Sequence, residues 1–159
     1  MHSGELYNLH IEIKELSSLS QELVEPLLVK YDLTSVQYRA LQLIVFNESM
    51  AVKYVSNHLK IKPAAGTALI DRLERKKLIE RVHSEDDRRV VFIQSTESGR
   101  ETYHSINKCF AKIFRDFYSV LNEEETERLK QIVGKLTEHV TSRIENKIWF
   151  PGMYRFHYI

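Results

Sequence analysis

From Val55 to Arg89 the chain reads VSNHLKIKPAAGTALIDRLERKKLIERVHSEDDRR. Just upstream, Met50 opens a short helical pattern that runs to Leu59, with Val52, Val55 and Leu59 at inward spacings of three and four. Lys60-Ile61-Lys62 breaks it. Pro63 suits the first position of a second helix, where its missing N–H costs nothing. That helix is predicted over about 63–77. Ala65, Leu69, Ile70 and Leu73 are placed toward the core, and Ala64, Gly66, Thr67, Asp71 and Arg72 on other faces. Leu78 to His83 and Val90 to Ser95 follow as strands, and Val90-Val91-Phe92-Ile93 is the strongest β signal in the chain. Between them Ser84 to Arg89 is polar or charged throughout, as an exposed hairpin tip should be.

Helix, turn, helix, hairpin is the layout of a winged helix-turn-helix. Working outward, residues 5–30 form one helical pattern with Leu9, Ile13, Leu16, Leu19, Leu23 and Leu27 on its stripe. Pro26 is expected to kink that helix or end its first part. Thr34 and Gln37 make a capping box for a helix over about 35–46. Downstream, Thr96 caps a helix that reaches about 120, striped by Tyr103, Ile106, Phe110, Ile113, Phe117 and Val120. Asn122 and Glu125 make a second box, and Leu129, Ile132, Val133, Leu136, Val140, Ile144 and Ile148 continue the stripe.

The fold class is therefore mainly α with a small β-hairpin wing, a winged helix-turn-helix flanked by N- and C-terminal dimerisation helices. The expected divisions are a dimerisation helix over 1–32, the winged helix-turn-helix over 33–98, C-terminal dimerisation helices over 99–148 and an aromatic tail over 149–159. The flanking stripes are buried either against a second copy of the chain or in an intramolecular bundle. The dimer is favoured because a two-fold axis is what such readers of duplex DNA use.

Composition narrows the function. In 159 residues, 43% are hydrophobic and 28% charged, which supports a core and argues against disorder. There is no apolar run near the roughly 20 residues of a membrane span and no signal-peptide core, so the expected compartment is cytoplasmic, with no membrane partner. Net charge is only +1, but residues 51–100 hold 11 Lys/Arg against 7 Asp/Glu, while the rest hold 12 against 15. The basic excess falls on the helix-turn-helix. No nucleophile elbow, phosphate loop or zinc motif appears, and no two of the seven histidines pair at i,i+4 spacing. The expectation is no enzyme, no catalytic residue, no metal and no cofactor.

The pattern resembles the MarR family of bacterial transcriptional regulators over roughly residues 30–100. Tyr31-Asp32-Leu33-Thr34-Ser35-Val36-Gln37-Tyr38 is similar to the segment that opens the family's second helix. Lys62-Pro63-Ala64-Ala65 with Leu69 to Ile79 resembles its recognition helix and exit. Asp87-Arg88-Arg89-Val90-Val91 and then Thr96-Glu97-Ser98-Gly99 resemble its wing and the entry to the next helix. There are departures. Lys77 stands where glycine is usual at a left-handed helix exit, and Ser95 replaces a leucine. Gly66 interrupts the recognition helix, either to let the backbone approach DNA or as a tolerated weakness.

The resemblance implies a homodimeric, sequence-specific DNA-binding transcriptional regulator, a repressor released by a small-molecule effector. The alternative is a winged-helix protein-interaction module without specific DNA binding. Pro63, Ala64, Ala65 and Thr67 stand in the first turns of the recognition helix, where methyl groups suit thymine. With no Arg, Asn or Gln there, the expected partner is double-stranded DNA with a pseudo-palindromic, A/T-rich site read partly by shape. For the two alanines, helix propensity and close packing explain the residues as well. Asp87 and Arg89, two apart on an extended strand, project to one side, so the carboxylate can aim the guanidinium. The resemblance sends Arg89 into the minor groove, with Arg88 on phosphate or doing the orienting; the bland alternative is a solvated loop. Lys53, Ser56, Lys62 and Arg72 are phosphate candidates or ordinary surface residues. A lipophilic or phenolic effector is implied near His10, Tyr38, Arg39, Tyr103 and Asn107, each of which is otherwise a core or surface residue. Cys109, the single cysteine, lies beside an apolar stripe and is expected to be an inert thiol.

Overall fold

A computed structural model of the chain describes residues 3–47, 49–83 and 91–145. Among the described residues ten elements follow in order. They are α1 (Ser3–Lys30), α2 (Ser35–Phe46), β1 (Met50–Ala51), α3 (Val52–His58), α4 (Pro63–Arg75), β2 (Ile79–His83), β3 (Val91–Ser95), α5 (Glu97–Phe117), a 3-10 turn (Tyr118–Val120) and α6 (Glu123–Glu145). They fall into two compact units, residues 1–113 and 114–159. The aromatic tail expected over 149–159 lies outside the described residues. None of the described helices is long and apolar enough to cross a membrane.

The core of the first unit takes its helical side chains largely from the predicted stripes, except on α1, where Leu28 and not the stripe from Leu9 to Leu23 is buried. Leu28, Leu41, Ile44, Val55, Ile70, Leu73, Ile79, Ile93 and Ile106 are fully buried and draw on seven of its elements. The Thr34 box is formed as expected: Gln37 N–H donates to Thr34 Oγ1 at 3.2 Å and Thr34 N–H donates to Gln37 Oε1 at 3.0 Å. At Pro26 the helix does not end; α1 continues through it to Lys30.

The sheet has three strands rather than two, in the order β1-β3-β2, all antiparallel. β2 and β3 pair from Ile79↔Ser95 to His83↔Val91. Met50 and Ala51, read from sequence as the start of a helix, instead pair with Ile93 and Phe92. Two residues carry no alternation to read, and only the returning strand β3 makes them a strand.

Three helix exits are closed by residues with positive φ, the first being Asp32 (φ 53°) after α1. Lys60 (φ 54°) follows α3 and Lys77 (φ 59°) follows α4. The left-handed exit expected at Lys77 is thus present without glycine, at a cost of about 1 kcal/mol. It is held by Lys77 N–H donating to Glu74 O at 2.8 Å and Leu78 N–H to Leu73 O at 3.1 Å.

The segment Thr96-Glu97-Ser98-Gly99 ties α5 to that exit. Thr96 Oγ1 accepts from Gly99 N–H at 3.0 Å and donates to Lys77 O at 2.7 Å, while Thr96 N–H donates to Leu78 O at 3.1 Å. Gly99 is there for space: a Cβ would overlap the Leu78 carbonyl oxygen and lie 2.9 Å from its carbon. Ser95, the small residue before it, is buried, and Arg100 Nη1 donates to its carbonyl oxygen at 2.8 Å.

The second unit holds the end of α5, the 3-10 turn and α6. Its capping box forms as read: Asn122 N–H donates to Glu125 Oε2 and Glu125 N–H donates to Asn122 Oδ1, both at 2.9 Å. On α6, Leu129, Ile132, Val133, Leu136 and Val140 are exposed. The same holds for Leu6, Leu9, Ile13, Leu16, Leu19 and Leu23 on α1 in the first unit.

Candidate nucleic-acid interface

The N-terminal half of α4 presents a small, open surface. Lys62 is its N-cap in extended backbone, and Pro63 begins the helix. Lys62, Pro63, Ala64, Ala65, Thr67 and Ala68 are exposed, with Leu69, Ile70 and Leu73 packed beneath. Thr67 Oγ1 donates to Pro63 O at 3.2 Å, so its proton is used within the helix and its oxygen remains an acceptor. Lys53 and Arg72 are also exposed. The backbone N–H groups of the first turn and the positive end of the helix dipole favour an anion at this end.

Two sequence expectations are reversed at the contact of α3 with α4. Ala65 faces out and Gly66 is buried. Ser56, a phosphate candidate, is only 1% exposed and donates to Val52 O at 3.3 Å, which leaves it no surface for DNA. The two observations have one cause. A Cβ at Gly66 would overlap Ser56 Oγ and lie 3.0 Å from Ser56 Cβ. The glycine therefore serves close approach of the two helices, not of DNA. Gly66→Ala is expected to lower stability by about 1–2 kcal/mol, the overpacking cost exceeding the gain in helix propensity. Ser56→Gly in the same chain should recover most of it in urea denaturation; no recovery would place the strain elsewhere.

Arg81 was not singled out from sequence. From β2 its Nη2 donates to Asp71 Oδ1 at 2.5 Å, and its Nη1 donates to Glu74 Oε2. The hydrogen bond to Asp71 raises the guanidinium above its ordinary value; burial opposes this, and the charges of Glu74 and Asp71 add to it. Lys76, at the C-cap of α4, donates to the carbonyl and carboxylate of Asp32 in the α1–α2 turn. Asp71 and Glu74 at i,i+3 signal that α4 offers a pair of carboxylates, but sequence does not say which strand residue meets them. Asp87, Arg88 and Arg89 lie outside the described residues.

Of the effector candidates, Tyr38, Tyr103 and Asn107 come together. Tyr38 Oη donates to Asn107 Oδ1 at 2.5 Å, and its ring stacks on Tyr103 with centroids 6.0 Å apart. Phe110 meets Tyr38 edge-on at 5.1 Å, and Phe46 meets Tyr103 at 5.5 Å. Burial, with Tyr103 adding to it, pushes the Tyr38 phenol far above its usual range. His10 and Arg39 are exposed on α1 and α2, and among the described residues neither joins this cluster by a hydrogen bond or ring contact. Cys109 is half-buried.

At the end of α3, His58 lies against Tyr54, ring centroids 6.2 Å apart, and its Nδ1 is buried with no hydrogen-bond partner among the described residues. Burial, then the charge of Arg39, lowers its pKa. The unfolded chain takes up this proton near pH 6.5 and the folded chain does so only lower, so stability is full above about 6.5 and falls as pH drops below it. His58→Gln should reduce the loss of urea midpoint between pH 7.5 and 5.5; an unchanged loss would exclude His58 as its source.

Comparison with known proteins agrees with this geometry. Residues 22–106 match the family model described as transcriptional regulator SarA/Rot. The chain is similar to the uncharacterized HTH-type transcriptional regulator YhbI of Bacillus subtilis, 31% identical over 74% of this chain and 77% of that one. It is similar to the HTH-type transcriptional repressor MdtR of the same organism, 31% identical over 69% of this chain and 70% of that one. Among solved structures, a MarR family protein from Bacillus stearothermophilus superposes with a TM-score of 0.81 at 23% identity, covering 89% of this chain and 99% of that one. A winged helix-turn-helix with an open recognition helix, in a chain matched by regulators along most of its length, identifies a DNA-binding transcriptional regulator and not an enzyme: the chain shares the fold of a MarR family protein and belongs to the SarA/Rot transcriptional regulators.

Proposed function

We propose that this regulator is a homodimeric repressor that reads a pseudo-palindromic, A/T-rich operator and releases it when a small lipophilic or phenolic effector binds. The observation that carries the DNA half is the exposed first half of α4, small and methyl-rich from Pro63 to Thr67, with Lys53, Lys62 and Arg72 as phosphate ligands around it. Methyl groups read thymine and the cations neutralise phosphate, while from the wing Arg89 enters the minor groove, Asp87 aims it, and Arg88 contacts phosphate or does the orienting. The similarity to a repressor supports repression as the direction of control.

Support for the dimer comes from the apolar side chains left exposed on α1 and on α6. A run of exposed apolar side chains along a helix is the mark of an interaction site, and a symmetric pair is the commonest way to cover it. The effector is assigned to the neighbourhood of Tyr38, Tyr103 and Asn107, with His10 and Arg39 at its margin. Genomic fragments captured by the protein and sequenced should yield one pseudo-palindrome with half-sites about one helical turn apart. No enrichment at low salt would favour the protein-interaction reading. Sedimentation at micromolar concentration should give twice the chain mass of 18.8 kDa, and a monomer would remove the dimer.

A further inference from the structure

The recognition helix of a DNA reader should not carry free negative charge toward a polyanion, yet α4 carries Asp71 and Glu74. Asp71 stands four residues after Thr67 on the same stripe, about 6 Å along the axis. That is inside a Debye length of about 8 Å at physiological salt, so phosphates held at the start of the helix feel this carboxylate. Glu74 lies one turn further and remains about one-third exposed. Both carboxylates are met by the same guanidinium. Arg81 reaches back from β2, is itself 29% exposed, and places one terminal nitrogen on each. Arg75, on the same helix, donates to the Asp71 carbonyl oxygen at 3.4 Å and so leaves the carboxylate to Arg81.

We propose that Arg81 is a positioning residue for DNA binding that acts by masking Asp71 and Glu74 from the phosphates, in addition to tying β2 to α4. The inference rests on the reading of α4 as the DNA-facing helix. The three side chains together carry one negative charge; without Arg81 they carry two. The fork geometry also directs both carboxylates toward the strand, since a planar guanidinium holds two oxygens in fixed directions.

The test is a titration of a fluorescein-labelled 30-bp mixed-sequence duplex by anisotropy, at low and at physiological salt, with circular dichroism to confirm folding. The wild-type chain should bind the duplex with a steep salt dependence. Absence of any binding by wild type sinks the DNA-facing reading itself, and this proposal with it. Given wild-type binding, Arg81→Gln should bind about three- to tenfold more weakly at low salt, with the deficit shrinking as salt rises. Adding Asp71→Asn and Glu74→Gln to Arg81→Gln should restore binding to the wild-type level or better. A clamp that is purely mechanical stays broken in that triple variant, which would then bind as weakly as Arg81→Gln, and this outcome overturns the masking role. Where Arg81→Gln does not fold, Asp71→Asn with Glu74→Gln beside an intact Arg81 decides the matter. It should tighten binding at low salt, and unchanged affinity overturns the proposal.

Discussion

Gly99→Ala is expected to cost about 3 kcal/mol of folding stability, the largest effect of a methyl group added at any of the described glycines. The added carbon would overlap the carbonyl oxygen of Leu78, a backbone atom that cannot rotate away as a side chain does. Relief requires moving the start of α5 from the exit of α4. That movement strains Thr96 N–H on Leu78 O and Thr96 Oγ1 on Lys77 O, so one methyl group loosens two hydrogen bonds as well. The chain supplies its own control. Gly134 in α6 has nothing within 4 Å of where a Cβ would stand, and Gly134→Ala should be neutral or stabilising by about 0.5–1 kcal/mol through helix propensity. Urea denaturation of both variants checks the pair. A Gly99→Ala midpoint equal to wild type would mean that α5 is not anchored where the structure has it.

Arg89→Ala is expected to weaken binding to the specific site about thirtyfold, near 2 kcal/mol, while leaving non-specific duplex binding within a few-fold. Asp87 and Arg89 are two apart in sequence, in the segment between β2 and β3, whose last described pair is His83↔Val91. Lys62→Ala is the contrast. At the N-cap of α4, Lys62 offers charge without base information, so its loss should weaken all duplexes alike and reduce the salt slope by about one. Titration of the recovered operator and of a scrambled duplex separates the two. Equal losses on both duplexes for Arg89→Ala would reduce the wing to a phosphate contact.

Much of this fold is legible in the order of residues because its signals are local. Thr34 with Gln37, Asn122 with Glu125, and Thr96 with Gly99 are short-range hydrogen-bond pairs, and each is formed. The β pairing of Val91 to Ser95 with Ile79 to His83 follows from two apolar runs around a charged tip. What sequence does not show is set by distant partners. Met50 and Ala51 become a strand only because β3 returns to them. Periodicity places α4 residues on a face to within about one position, and Ala65 and Gly66 are adjacent and both small, so which of them meets Ser56 depends on how α3 crosses α4. Arg81 was missed for the same reason: its two partners are ten and seven residues away, across a turn whose geometry alternation does not encode. At the site, Lys53, Lys62 and Arg72 are surface residues as their charge suggests, whereas Ser56 shows that a hydroxyl at a suitable position is as well suited to a helix contact.

The central place of β3 has a consequence for how the protein comes apart. Its pairing with Met50 and Ala51 on one side and with β2 on the other closes a loop that contains α3, α4 and the first wing strand. β3 cannot leave without freeing both edges of the sheet. Loss of β3 therefore opens the sheet toward α3 and toward the wing strand β2 at once. Closing a loop of some forty residues costs chain entropy before the buried contacts reward it, so the return of β3 is the natural rate-limiting event in folding.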